Sequence, residues 1–207
     1  MKVARISIAT TLTFLLLLAI LHVIKPEIEP SWRMISEYEI GNFGWLMQVA
    51  FFSWALGSIS LSIALWPHLR TIAGRIGAVL LLVASLGMAI GGLFVTDPIT
   101  TATDAFSTAG ILHSVGGVLM IFSAPFIVAL ISWSLLRHNP FWVRARHWLL
   151  WPAALVWLSL VAYFVILFSA GAVGPDVPIG WPNRIFVLAY SIWVLAAAWQ
   201  VGRIEKR

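Results

Sequence analysis

Ionisable and polar side chains beside long apolar runs are the first candidates for chemistry in this chain. Only 10% of the residues are charged and 61% are hydrophobic, so each such group needs a physical reason for its position. Five of them are our candidate ligand-binding residues: Ser36, Glu37, Asp97, His113 and Arg184. A hydroxyl, two carboxyl groups, an imidazole and a guanidinium can hold a polar ligand through hydrogen bonds and charge. The sequence identifies no catalytic residue among them.

The segment between the first two apolar runs is the most polar part of the chain. Ser36 and Glu39 have the spacing of a capping box, in which Ser36 caps a short turn and Glu39 returns to its amide. Glu37 would face the mouth of a helix bundle as a ligand or proton acceptor, and the two interpretations are compatible. Gly41 and Gly44 would allow tight turns into the next helix.

His113 lies one turn inside the fourth apolar run. Its helical neighbours are small and leave room for a partner helix or a ligand: Ala109, Gly110, Gly116 and Gly117. Asp97 precedes Pro98, and because a residue before proline avoids helical geometry, we expect this pair to end the third helix. Arg184 opens the last run. Its positive charge lies on the side of the membrane where lysine and arginine are usually scarce, so we expect a carboxylate partner or an anionic lipid headgroup beside it.

Six apolar runs must position these groups. They comprise residues 6–24, 45–66, 76–95, 110–136, 148–172 and 185–201. A helix needs roughly 20 residues to cross a hydrocarbon core of about 30 Å, and all six runs qualify. The runs are continuous rather than alternating, which favours helices over a barrel. The sequence predicts an all-α membrane protein, a compact bundle of six transmembrane helices in a single domain spanning residues 1–207.

Small residues four apart indicate where the helices touch. Gly87 and Gly91 have this spacing in the third run, and Ser53 and Gly57 have it in the second. Such pairs let two helix backbones approach closely in lipid, where helix association depends on van der Waals contact and hydrogen bonds. We therefore expect close helix contacts at these two positions of the bundle.

Charge predicts the orientation. With the amino terminus inside, ten of the 13 lysines and arginines fall on the inner side, and seven of the eight acids on the outer side. Both termini are then cytoplasmic, the chain is a multi-pass protein of the cell (inner or plasma) membrane, and the five candidate residues share the outer side. The net charge of +5 comes from these topology signals, so we expect no nucleic-acid partner.

Three functions are compatible with these observations. In the first, an outward-facing polar pocket binds a lipid headgroup or a small polar solute, with no cofactor and no metal site. In the second, the chain is an accessory subunit of a larger membrane complex. The third is a membrane-embedded hydrolase that uses Ser36, His113 and an acid, or a mixed Asp and His metal site. A b-type haem between His22 and His113 is a minor fourth. The absence of cysteine excludes thiolate chemistry.

Several short motifs in a fixed order resemble a known family. They are Ile35-Ser36-Glu37-Tyr38, Gly41-x-x-Gly44-Trp45-Leu46-Met47, Gly91-Gly92-Leu93-Phe94 before Asp97, Leu112-His113-Ser114, and Gly180-Trp181-Pro182-Asn183-Arg184. Together they resemble the six-span prokaryotic membrane family catalogued as domain of unknown function 998. The last motif departs from the family pattern, which has a glutamine where Asn183 stands. The resemblance covers essentially the whole chain, implies a six-helix bundle and brings no established activity.

Overall fold

The fold is a bundle of long helices. The computed structural model describes residues 2–138, 140–170 and 173–204. Its α-helices are α1 (Lys2–Ile24), α2 (Gly44–Leu65), α3 (Ile72–Leu93), α4 (Thr108–His138), α5 (Pro140–Arg144), α6 (Arg146–Ser169) and α7 (Gly180–Ile204). Short 3-10 turns occupy Ile35–Glu39, Trp66–His68 and Thr103–Ala105. No strand occurs in these three described stretches, which confirms the all-α prediction.

Six of these helices are long and apolar enough to cross a membrane, so the chain is a multi-pass membrane protein. Each coincides with one predicted run. The observed helix ends differ from the predicted ends where local interactions determine them. The last helix begins at Gly180 rather than at 185, because Pro182 fits the first turn, where its missing N–H is not needed. The predicted end of the fifth run, at 172, lies outside the described residues, and α6 ends at Ser169.

Helix α3 ends earlier than predicted. The sequence placed its end at the Asp97-Pro98 pair, but Leu93 is the last helical residue and Phe94 is already extended, with φ −118° and ψ 116°. The residues that follow form an irregular connection to α4. Asp97 is therefore a loop residue, and the prediction that the Asp97-Pro98 pair ends α3 was wrong.

The six long helices form a closed ring. Neighbours around it are α1, α2, α3, α4, α6 and α7, and α7 packs back against α1. Helices α2 and α7 also touch across the ring and are the most buried of the six. Helix α6 packs mainly against α7 and touches α4 over a shorter stretch. The seam between α4 and α6 is thus the most open contact between ring neighbours.

Small residues mark the tightest crossings, as predicted. A Cβ added at Gly116 of α4 would lie 2.6 Å from the carbonyl oxygen of Gly87 on α3, and one added at Gly87 would collide with the carbonyl oxygen of Gly116. A Cβ at Gly57 of α2 would lie 2.5 Å from the Oγ1 of Thr11 on α1. These helix pairs are held at distances that only glycine permits.

Three connections lie at one end of the bundle: 25–43, 94–107 and 173–179. We call this the acidic end, because it holds seven of the eight acids in the sequence. The Ile35 amide donates to Asn183 Oδ1 at 3.1 Å, and the Gly180 amide donates to the Ser31 carbonyl at 2.9 Å. The opposite end, which carries most of the arginines, is the basic end. Which end faces the cytoplasm stays a prediction.

Candidate functional site

The connection 25–43 folds over the acidic end through a 3-10 turn. Met34 is the residue that precedes this turn, and its amide donates to Glu37 Oε2 at 2.9 Å. The predicted capping box of Ser36 and Glu39 is therefore wrong, because Glu37 closes the turn and Glu39 points elsewhere. The predicted role of glycine holds at Gly41, which has φ +75°.

Glu37 is almost fully buried, at 1% exposure, and its carboxylate is completely occupied. Arg33 donates to Oε1 from Nε at 2.9 Å and from Nη2 at 2.8 Å. The Ile99 amide donates to the same oxygen at 2.9 Å, and the Met34 amide to Oε2. Glu37 thus ties two connections together. It lies among backbone amides and an arginine rather than facing an open mouth of the bundle.

Glu39 and His113 form a buried pair. Glu39 Oε2 lies 3.2 Å from His113 Nδ1 and accepts from the Thr96 amide at 3.3 Å. His113 Nδ1 also lies 2.7 Å from the Phe94 carbonyl oxygen, so Nδ1 carries a hydrogen. Glu39 Oε1 is buried without a hydrogen-bond partner among the described residues. Burial raises the pKa of the Glu39 carboxyl, and the contacts with His113 and Thr96 lower it in part.

Arg184 binds neutral groups rather than a carboxylate. Its Nε donates to His22 Nε2 at 2.9 Å, and Nη1 donates to the carbonyls of Arg33 at 2.6 Å and Gly180 at 3.2 Å. Its Nη2 lies 3.4 Å from the Tyr38 hydroxyl, and the guanidinium covers the Tyr38 ring. The carboxylate partner predicted for Arg184 is wrong within the described residues, because backbone carbonyls take the positions that a carboxylate would occupy.

The same contacts bear on the haem hypothesis. His22 Nδ1 lies 2.7 Å from the Leu18 carbonyl oxygen, and His22 Nε2 accepts from Arg184, so both ring nitrogens are in use. His113 holds its own Nδ1 against Phe94 and Glu39. The two histidines therefore serve separate hydrogen-bond networks, and the arrangement does not favour a shared haem.

Asp97 belongs to the start of α4. Its Oδ2 accepts from the Ser107 amide at 2.8 Å, and a Cβ at Gly110 would collide with the carboxylate. The positive end of the helix dipole stabilises a negative charge at this position. Asp97 therefore fixes the entry into α4 and leaves Gly110 no room for a side chain.

A cavity of about 340 Å³ opens below these connections, between α2, α3, α4, α6 and α7. We call it the lateral cavity. Its polar wall contains Ser36, Thr96, His113, Ser114 and Asn183. Its apolar wall contains glycines of α3 and α4 and the side chains of Phe51, Trp54, Met88, Met120, Ile121, Phe122, Phe164, Leu167, Phe186 and Val187. Tyr163, which carries a hydroxyl, also lines the cavity. Val118 and Phe122 of α4 also line it and are 54% and 50% exposed, so the cavity opens at the α4–α6 seam.

The candidate residues therefore divide into two groups. Ser36 and His113 line the lateral cavity, whereas Glu37, Asp97 and Arg184 hold the surrounding connections in place. Glu39, Asn183 and Tyr163 also belong to this region, and they are not among the residues predicted from the sequence to bind a ligand. For Glu39 the available signal was a second acid in the same polar segment. For Tyr163 no signal was available, because a tyrosine inside a long apolar run is unremarkable until its neighbours are known.

The region does not assemble hydrolase chemistry from described residues. No described hydroxyl donates to His113, and the Ser114 hydroxyl donates to the Gly110 carbonyl at 2.8 Å. Across the described stretches, no three histidine, aspartate or glutamate side chains come together as a group that could hold a metal ion. What the arrangement offers is a polar pocket with an apolar extension.

Comparison with known proteins confirms the family resemblance that the sequence indicated. A family model described as a protein of unknown function, DUF998, matches residues 8–200. This span reaches into all six long helices and includes every residue of the lateral cavity. No curated protein and no solved structure matches the chain.

Proposed function

The chain belongs to the DUF998 family, whose description assigns no activity, and from that premise we propose that it binds a membrane amphiphile in the lateral cavity. The head of the amphiphile lies against Ser36, His113 and Asn183, and its chain lies between α4 and α6. One observation carries this proposal: polar and apolar walls share a single cavity that opens through the side of the bundle. A ligand that fits both walls must itself be amphipathic.

The shape of the cavity favours a lipid over a small polar solute. A polar solute would occupy only the polar wall and leave water against Phe51, Trp54 and Met120, at a cost that grows with the apolar area left wet. An amphiphile from the bilayer fills both parts without leaving the membrane. With the acidic end outside, as the charges predict, the ligand comes from the outer leaflet of the cell membrane.

The two other functions have weaker support. A role as accessory subunit would need a surface with a stated partner, and the apolar residues exposed on α1, α3 and α6 suit lipid equally well. The hydrolase hypothesis has a buried carboxyl and histidine pair in Glu39 and His113, but no nucleophile hydrogen-bonded to it. Binding of an amphiphile requires only the polar and apolar side chains that line the lateral cavity.

Filling the lateral cavity tests the proposal. Gly117 lines it, and a Cβ at this position would have no atom within 4 Å, so Gly117→Leu occupies the cavity without disturbing the backbone. Gly202→Leu is the matched control, because Gly202 also has no atom within 4 Å of an added Cβ and lies near the basic end. Both variants would be reconstituted in vesicles made from the total lipids of the expression host.

The measurement is the lipid retained per chain after mild detergent extraction, determined by native mass spectrometry. We expect the wild type and Gly202→Leu to retain an amphiphile and Gly117→Leu to lose most of it. Equal retention in all three proteins would contradict the proposal.

A further inference from the structure

We propose that the amphiphile has an uncharged, hydroxylated head, as in a diacylglycerol or a long-chain alcohol, and that lipids bearing a phosphate are rejected. This inference rests on the proposed function and names the class of its ligand. It follows from where the cations of the acidic end lie and from which polar groups of the lateral cavity lack partners.

All three cations at the acidic end are committed to the protein itself. Lys25 is 1% exposed, and its Nζ donates to the carbonyls of Tyr38, at 3.0 Å, and Ile40. Arg33 is bound to Glu37, and Arg184 to two carbonyls and a histidine. No lysine or arginine occurs among the described residues that line the lateral cavity.

A phosphate would therefore enter the cavity without a cation to neutralise it. Removing an anion from water costs far more than removing a hydroxyl, unless charged donors replace the lost hydration. The Glu39–His113 pair supplies that charge only when both groups are protonated. With one proton it has no net charge, whether that proton lies on the carboxyl group or on the imidazole, and losing the proton leaves a negative charge that repels phosphate.

Uncharged hydrogen-bonding groups are present instead. Ser36 and Tyr163 line the cavity, and neither hydroxyl makes a hydrogen bond to a described residue. Asn183 uses Oδ1 to accept from the Ile35 amide, which leaves its side-chain nitrogen as a donor without a partner in the same part of the chain. Two hydroxyls and one amide donor match the hydroxyl and ester groups of a diacylglycerol. These three groups are half-buried, so a ligand that covers them without bonding to them would replace their hydrogen bonds to water with nothing.

The test compares two lipids that differ only in the head. Dioctanoylglycerol and dioctanoyl phosphatidic acid carry the same acyl chains, and only the second has a phosphate. Each is titrated onto purified full-length wild type and onto Gly117→Leu, and the apparent Kd is measured by native mass spectrometry. The binding that Gly117→Leu removes is assigned to the lateral cavity. Phosphatidic acid bound elsewhere, for example at the groove beside Arg137 near the basic end, is unaffected by that substitution.

We expect cavity binding of dioctanoylglycerol to be at least tenfold tighter than that of phosphatidic acid. Phosphatidic acid that binds the cavity as tightly as dioctanoylglycerol, or more tightly, would overturn the inference about the head and leave the proposed function standing. If Gly117→Leu changes the binding of neither lipid, both the inference and the proposed function are wrong.

A second variant keeps the test independent of Gly117→Leu. Ser36→Lys places a cation on the polar wall of the cavity, at a half-buried position whose hydroxyl has no described partner. We expect it to raise the affinity for phosphatidic acid at least tenfold and to lower that for dioctanoylglycerol. An unchanged preference for dioctanoylglycerol would contradict the argument that missing positive charge excludes phosphate.

Discussion

Glu39 and His113 are the two ionisable groups that the fold buries together beside the lateral cavity. Glu39 is 4% exposed and His113 is 8% exposed. Neither could remain there unpaired at reasonable cost, because an isolated buried charge loses its hydration without compensation. Their contact therefore explains why a carboxyl group and an imidazole occur next to the lipid-facing part of the bundle.

The raised pKa of Glu39 makes stability depend on pH. Because burial raises the pKa of this carboxyl, the protonated form is favoured in the folded state, and that stabilisation is lost as the pH rises through the folded pKa. Glu39→Gln keeps an oxygen for the donors on His113 and Thr96 but cannot ionise. We expect its thermal midpoint, relative to wild type, to rise between about pH 4 and about pH 8.

The shift should amount to several degrees, since 1 kcal/mol moves the midpoint by about 2–4 °C in a chain of this size. Thermal unfolding in detergent at a series of pH values measures it. Asp104→Asn is the control, because it removes a carboxyl group that is exposed at the same end of the bundle. A constant or falling midpoint difference for Glu39→Gln would show that the carboxyl is not held as described.

Single residues could be predicted from the sequence more readily than their partners. His113 and Arg184 stood out because an ionisable group next to lipid is costly wherever it lies. Their partners depend on packing that a single sequence does not specify. Arg184 faces two carbonyls and His22, and no spacing in the sequence distinguishes that outcome from pairing with Glu37.

At the scale of the helices, the crossing of α3 and α4 positions His113 beside the lateral cavity. This side chain projects from α4 toward the glycine-rich end of α3. Gly87 and Gly116 hold the two backbones together. Gly91 lies one turn further along α3, where an added Cβ would be 3.7 Å from His113 Cε1, an ordinary van der Waals contact. Gly87 and Gly91, the pair predicted from the sequence, therefore have different roles.

This difference predicts opposite tolerance to alanine. Gly87→Ala forces α3 away from α4 and should destabilise the protein by about 1–3 kcal/mol, as overpacking does in other cores. Gly91→Ala should be nearly neutral, because space exists and alanine favours a helix. Thermal unfolding of both variants in the same detergent measures the difference. Equal destabilisation of the two would contradict the crossing geometry.

The sequence predicted the six long helices well and their ends less well. A continuous apolar run of sufficient length has few alternatives in lipid, so the number and order of the spans followed directly. The ends depend on local groups, such as Pro182 at the start of α7. The five-residue helix α5 was missed, because so short a helix carries no periodic signal.

For the whole molecule, the orientation in the membrane is a prediction that labelling can test. The chain has no cysteine, so a single introduced thiol reports one position. Thr100 is exposed on the acidic end, and His147 is exposed on the basic end. An impermeant maleimide added to intact cells should label Thr100→Cys at once and His147→Cys only after the membrane is permeabilised. The reverse pattern would place the lateral cavity on the cytoplasmic side.

The order of helices around the ring could not be read from the sequence. Short connections predict that neighbours in sequence pack together, and they do. The closing contact between α1 and α7, and the open seam between α4 and α6, depend on side-chain shapes along each whole helix. The lateral cavity lies at that seam, so its existence could not be predicted from the motifs that surround it.

Photochemical labelling in living cells tests the central claim most directly, because it does not depend on the class of the head. Cells that express the protein are grown on a fatty acid with a diazirine group, so that all their lipids carry the label. They are then irradiated, and the modified peptides are identified by mass spectrometry. We predict that labels reach Met88 and Met120, which line the lateral cavity and are only 2% and 5% exposed, and that Gly117→Leu removes them. Labels confined to side chains on the outer surface of the bundle, such as Leu16 and Ile76, would contradict the account.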